Sequence, residues 1–330
     1  MKHICRALIR RSVPLAGLLS AVSLIAAGPS TATESGSRTE SHEAAKPTVV
    51  LVHGTWADAS SWDEVVQSLQ ERGYPVVATA NPLRSLSGDS DYLAALLETI
   101  EGPIVLAGHS YGGAVISNAA AGNPNVESLV YIAAFAPDVG ENALQLSTKY
   151  SGSRLSDDPE ATVPTALDAV PLTSNPTDVD LYVKPDEFND VFLSNRLTAS
   201  ESNVLAASQR PGTALSFNEP SMAAAWKTIP SWFLVATDDR TIGTENLRFM
   251  AERANSTTVE VDAPHAVMET NSADVTDLIL RAAHDSRPSL AHTGTTRQTV
   301  VIGAAAGLAL AGGAVLVVRS RRMTHKANDA

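Results

Sequence analysis

Cysteine is almost absent from this chain of 330 residues: the only one, Cys5, lies ahead of the first apolar segment, where no lipid attachment is expected. No internal disulfide can therefore brace the protein. Basic side chains are scarce as well. Residues 1–32 carry four of the 24 lysines and arginines and no acid, and residues 294–330 carry five basic residues and one acid. That leaves 15 basic against 35 acidic residues between 33 and 293, a net charge of −20. Such a balance excludes a basic nucleic-acid surface and reads as a solvated acidic exterior. No internal repeat is present.

What the chain does contain is centred on Gly108-His109-Ser110-Tyr111-Gly112. Residues 104–107, Ile-Val-Leu-Ala, read as a buried strand, and residues 113–121 continue with small and apolar side chains that suit a helix. A serine at the tip of a strand-to-helix turn needs small flanking residues, and the glycines supply them. Ser110 is the candidate nucleophile.

The other parts of a serine hydrolase fall in order. Residues 47–52 read as a strand ending in His53-Gly54-Thr55-Trp56, a loop that can turn backbone N–H groups toward the serine. Thr55 and Tyr111 are the candidate oxyanion-hole residues through those groups. Residues 231–236 form a further strand that runs into Thr237-Asp238-Asp239-Arg240, and residues 258–261 another that runs into Asp262-Ala263-Pro264-His265. The order Ser110, Asp239, His265 is that of an α/β-hydrolase fold. A serine hydroxyl is a weak nucleophile near neutral pH, so His265 must take its proton and a carboxylate must orient and stabilise the imidazolium. Asp239 is the preferred carboxylate, with Asp238 the alternative. His53 and His109 are the rival bases, but one lies in the oxyanion loop and the other inside the elbow. His284, His292 and His325 read as solvated.

These motifs, together with Ser61-Trp62, Tyr131-Ile132-Ala133-Ala134-Phe135-Ala136-Pro137, Gln209-Arg210-Pro211, Arg248-Phe249-Met250-Ala251 and His265-Ala266-Val267-Met268, resemble the small bacterial esterases of the α/β-hydrolase superfamily. Those are relatives of the plant hydroxynitrile lyase and methyl-salicylate esterase group. The resemblance covers nearly all of residues 47–284. It implies a carboxylesterase with a covalent acyl-Ser110 intermediate, no cofactor and a small-molecule ester as substrate. The lyases of that group carry threonine where this chain has Gly54, and lysine where it has Ala266. That lysine stabilises departing cyanide, so its absence favours ester hydrolysis. Lactone or amide hydrolysis and lyase-type cleavage on the same triad, or a non-catalytic surface module, are the alternatives.

Around this domain, expected over 47–284 with a cap inserted at about 137–228, the chain's ends carry addresses. Lys2, Arg6, Arg10 and Arg11 precede an apolar stretch and small residues 30–32, the pattern of a secretory signal over 1–32. A flexible leader follows at 33–46. Residues 300–318 are an apolar run long enough to cross a bilayer core of about 30 Å, followed by a basic tail at 319–330 that orients the domain outward. Leu290-Ala291-His292-Thr293-Gly294, in the stalk at 285–299, resembles with that run and tail a cell-wall sorting signal. This implies sortase and peptidoglycan as partners, with cleavage between Thr293 and Gly294. Within the domain Trp56 and Tyr111 are the candidate pocket aromatics, ahead of Phe217 and Trp226.

Overall fold

The computed structural model describes residues 45–158 and 160–285. The secretory signal, most of the leader, the sorting motif, the apolar run at 300–318 and the basic tail lie outside those residues. Among the described residues no helix is long and apolar enough to cross a membrane.

The strands are β1 (Thr48–Val52), β2 (Val76–Thr79), β3 (Ile104–His109), β4 (Val126–Ile132), β5 (Leu167–Pro171), β6 (Val179–Val183), β7 (Gly212–Thr213), β8 (Ser231–Ala236) and β9 (Thr257–Val261). The helices are α1 (Asp63–Glu71), α2 (Leu86–Leu97), α3 (Tyr111–Ala119), α4 (Ala143–Ser147), α5 (Phe188–Val191), α6 (Ala199–Ser208), α7 (Ala214–Asn218), α8 (Thr244–Arg253) and α9 (Ser272–Asp285). Six strands pair in the order β2-β1-β3-β4-β8-β9, and every pair is parallel.

An all-parallel sheet must be covered on both faces, which is why β3 and β8 read as largely apolar runs. Every residue of β3 and β8 is buried, whereas the edge strand β9 is largely exposed. Helices α1 and α9 pack together, with α9 against β3, β4 and β8. Helices α2 and α3 form a second pair, α3 lying along β3 and β4. From β1 the chain adds β2 on one side and β3 on the other. That reversal opens a crevice at the carboxyl ends of β1 and β3, the place where open α/β sheets hold their ligands.

Between β4 and β8 the chain leaves the sheet. It builds an antiparallel three-stranded sheet, β5-β6-β7, with the short helices α4 to α7 around it. This segment has its own apolar cluster, in which Leu181, Val183, Phe188 and Phe192 pack with Trp56 from the loop after β1 and Ala266 from the loop after β9. The cap thus closes over the two loops that flank the candidate serine.

Candidate active site

Ser110 sits between β3 and α3 with φ of 54° and ψ of −126°, a conformation that non-glycine residues rarely hold and that surrounding contacts must impose. Those contacts are close backbone approaches. A Cβ at Gly108 would lie 2.6 Å from the Gly112 carbonyl oxygen, and one at Gly112 would lie 2.5 Å from that of Val52. The Ser110 carbonyl accepts from the N–H groups of Gly113, at 3.0 Å, and Phe135, at 3.1 Å. The turn is pinned from both sides and its side chain faces the crevice.

The structure brings three of the expected side chains into one line. His265 Nε2 lies 2.9 Å from Ser110 Oγ, and His265 Nδ1 lies 2.7 Å from Asp239 Oδ2. Both His265 and Asp239 have wholly buried side chains. With Nδ1–H donating to the carboxylate, Nε2 is left as the acceptor for the serine proton. The other Asp239 oxygen accepts from the backbone N–H groups of Thr241, Ile242 and Gly243, so the carboxylate is fixed by the turn that carries it. Asp238 points elsewhere, pairing with Arg196 and Arg240. Of the two adjacent acids, the geometry joins Asp239 and not Asp238 to the imidazole.

His53 and His109 take supporting places. The Asn81 backbone N–H donates to His53 Nε2 at 3.0 Å. Nδ1–H therefore donates to the Gly54 carbonyl at 2.9 Å. That carbonyl and the Thr55 N–H belong to one trans peptide and point in opposite directions. Holding the first on His53 aims the second away from it, and the Thr55 N–H has no acceptor among the described residues. Tyr111 is the first residue of α3, where a helix leaves its N–H groups without intrahelical acceptors. The Thr55 hydroxyl is also buried and unpaired among the described residues. Burial depresses the His53 pKa below its ordinary value.

His109 is driven well below its ordinary range by burial and by the neighbouring His265. Its Nε2–H donates to the His265 carbonyl at 3.0 Å, and its ring centroid lies 4.8 Å from that of His265. Both rivals are thus neutral props for the loops, and neither touches the serine hydroxyl.

A cavity of about 710 Å³ opens at Ser110, lined by Trp56 and Phe217 among others. Two expected pocket aromatics are absent from it. The Tyr111 side chain is fully buried and turned under the elbow, where its hydroxyl donates to the buried Asp89 carboxylate at 2.9 Å. Burial, and then the Asp89 charge, push the Tyr111 pKa far up. Tyr111 can thus offer its backbone to the site but not its ring. Trp226 packs in the main core and donates its indole N–H to the Pro137 carbonyl at 2.9 Å.

Asn81 and Asp89 have no motif around them, and only the fold reveals their roles. Phe192, from the cap, packs against His265 with ring centroids 5.3 Å apart. Among the described residues no cluster of three or more His, Cys, Asp or Glu side chains could hold a metal ion.

A parallel sheet carrying a strained serine elbow at its carboxyl edge, with a histidine and an acid on later loops, defines an α/β hydrolase. The chain belongs to the alpha/beta hydrolase family, whose sequence profile matches residues 49–278. It is similar to a carbendazim hydrolyzing esterase of Nocardioides sp. (strain SG-4G), 31% identical over 113 residues, which cover 30% of this chain and 47% of that one. The match spans about half the length of that esterase. In structure it is similar to polyneuridine aldehyde esterase, with a TM-score of 0.60 and 18% identity over 72% of this chain and 98% of that one. A similar likeness holds for the pyrethroid hydrolase PytH, with a TM-score of 0.56 and 23% identity over 72% and 97%.

Proposed function

We propose that the protein is a serine carboxylesterase that works through an acyl-Ser110 intermediate. The observation that carries this reading is the unbroken line from Asp239 through His265 to Ser110, at 2.7 and 2.9 Å, ending at the floor of a cavity. Ser110 Oγ attacks the ester carbonyl carbon as its proton passes to His265 Nε2. Asp239 holds the resulting imidazolium. The carbonyl oxygen becomes an oxyanion facing the Thr55 and Tyr111 N–H groups, each worth about 3 kcal/mol in such holes. Collapse releases the alcohol, which takes the proton from His265. Water, activated by the same imidazole, then frees the acid. The esterase names of the relatives above agree with this chemistry.

Lyase chemistry is disfavoured by the residues present. Ala266, beside the imidazole, has no charge to offer a departing anion. Threonine at position 54 has no room either, since a Cβ there would lie 2.5 Å from that of Ser110. Mandelonitrile cleavage at background rate, beside measurable ester hydrolysis, is the expected outcome.

Purified Ser110→Ala should retain its fold and lose at least about 10⁴-fold in turnover. More than a tenth of wild-type turnover would overturn the assignment. The proposal extends to location: export, sortase cleavage after Thr293 and attachment to peptidoglycan, on the strength of residues 290–294, 300–318 and the basic tail. Mature protein should then resist detergent and be freed by peptidoglycan-digesting enzymes. Full release into mild detergent, with peptides beyond Arg297, would instead mark a retained membrane anchor.

A further inference from the structure

The cavity at Ser110 says more than that an ester fits. At about 710 Å³ it lies in the range that encloses a drug-sized ligand, well beyond what an acetyl or butyryl ester occupies. Its cap-side wall is aliphatic, from Leu155, Val163, Leu167, Val179 and Leu181. Leu144 and Leu215 line it too and remain 40% and 55% exposed, so the apolar surface runs out to the mouth.

The polar groups of the lining are largely occupied by the protein itself. The Trp56 indole N–H donates to the Leu181 carbonyl, the Ser147 hydroxyl to Leu144 and the Thr241 hydroxyl to Val191. The Asn218 amide N–H donates to Ala214, and the Thr177 hydroxyl donates to Asn175 Oδ1. A carboxylate or a sugar entering this space would give up water and find few donors in return, which is costly. Among the described residues no lysine, arginine or histidine lines the cavity. The one ionisable residue of that lining is an acid, Asp178, and no ion pair joins it among the described residues. An anionic substrate would meet like charge beside a low-dielectric wall, where repulsion is least screened.

From the volume, the spent donors and the lone acid together we infer that the substrate is an uncharged ester with bulky apolar groups, and that esters bearing a free carboxylate are rejected. This rests on the esterase reading of Ser110 and sharpens it, replacing a small or medium acyl chain by a larger, water-averse one. Asp178, at the end of the turn between β5 and β6, acts as the selecting charge.

The test is a series of p-nitrophenyl esters with the full-length protein: acetate, octanoate and phenylbutyrate, then adipate as its methyl ester and as its free acid. The value of kcat/KM should rise at least tenfold from acetate to phenylbutyrate, the direction expected when each buried methylene adds roughly 0.8 kcal/mol of transfer free energy. It should fall at least about tenfold from the methyl ester to the free acid. Asp178→Asn should narrow that neutral-to-anionic ratio severalfold.

A flat or acetate-preferring series, or a free acid hydrolysed as well as its methyl ester, would overturn the inference while leaving the esterase reading in place. Calorimetric titration of Ser110→Ala with phenethyl phenylacetate separates the two claims further. Binding of that ester but not of phenylacetate, with no hydrolysis of any ester by the wild type, would retain the uncharged apolar class of ligand and overturn the esterase reading.

Discussion

The carboxyl edge of the sheet and the cap above it are built from different forces. At the edge, position is set by backbone: the Ser110 turn at positive φ, two glycines with no room for a Cβ, three N–H groups on one oxygen of Asp239, and histidines buried in neutral form. The cap has a small apolar cluster and is tied to the loops after β8 and β9 by a run of ion pairs. Arg154 and Arg240 share Asp190, Arg240 and Arg196 share Asp238, and Arg196 reaches Asp262. These pairs are partly exposed, so each contributes on the order of 0 to 1 kcal/mol. Reacting atoms need placement to fractions of an ångström, which backbone can give. A surface that selects substrates needs only shape and charge, and can be held more loosely.

The adjacent acids test this contrast most strongly, since the Asp239 carboxylate is held by the edge's backbone while Asp238 pairs with Arg196 of the cap and with Arg240. Asp239→Asn should cost about 10⁴-fold in kcat by spoiling the imidazole's tautomer and charge. Asp238→Asn should cost less than about threefold, being a partly exposed pairing change. Steady-state kinetics on the two purified variants decide it, and the reverse ranking would break the comparison. Next in size is Gly54→Ala. Its methyl group would lie 2.5 Å from the Ser110 Cβ and 3.1 Å from its Oγ, which must displace the nucleophile or the oxyanion loop. A loss of roughly 10² or more in kcat is expected, against near wild-type turnover if the loop can move aside.

The same contrast governs what can be read from residues alone. Strands β1, β3 and β8 are apolar runs stopped by glycine, aspartate or a turn, and the candidate oxyanion loop, nucleophile and acid sit directly at their ends, while the candidate base follows the short edge strand β9. Their places follow from chain order and hydrophobic pattern. The choice between Asp238 and Asp239 does not, because it depends on which side chain the turn at Thr241 to Gly243 folds back upon. The aromatic assignments divide for a similar reason. Trp56 and Phe217 reach the cavity, whereas the direction of Tyr111 is set by Asp89, 22 residues earlier, and that of Trp226 by Pro137, 89 residues earlier. The cap is the least legible part. Its strand β7 has two residues, and β5 ends in a proline, too short and too irregular for a periodic signal.

Acid and salt separate the two regions further. His53 and His109 titrate below the value of about 6.5 that free histidine has. As pH falls through 6.5 the unfolded chain takes up protons that the folded one refuses, so stability present at neutral pH is lost on the way down. Urea midpoints should fall from pH 7 to pH 5, and His109→Gln should flatten that slope. A midpoint independent of pH across this window would contradict neutral burial. Last and smallest, Arg240→Gln removes the pair that ties the loop after β8 to Asp190 of the cap and the pair with Asp238 beside it, and should lower stability by no more than about 1 kcal/mol, less at high salt. Urea melts at low and high ionic strength measure this. A cost above about 3 kcal/mol would mean that the cap is held by charge as firmly as the edge is by backbone.

The central claim is that Ser110 becomes acylated. Rapid quenching of wild-type protein with p-nitrophenyl octanoate, followed by intact mass and peptide mapping, tests it most directly. The expected result is a transient adduct of one octanoyl group on the peptide containing Ser110, formed as p-nitrophenol is released and lost as turnover proceeds. Steady ester hydrolysis with no adduct, or with the acyl group on another residue, would contradict it.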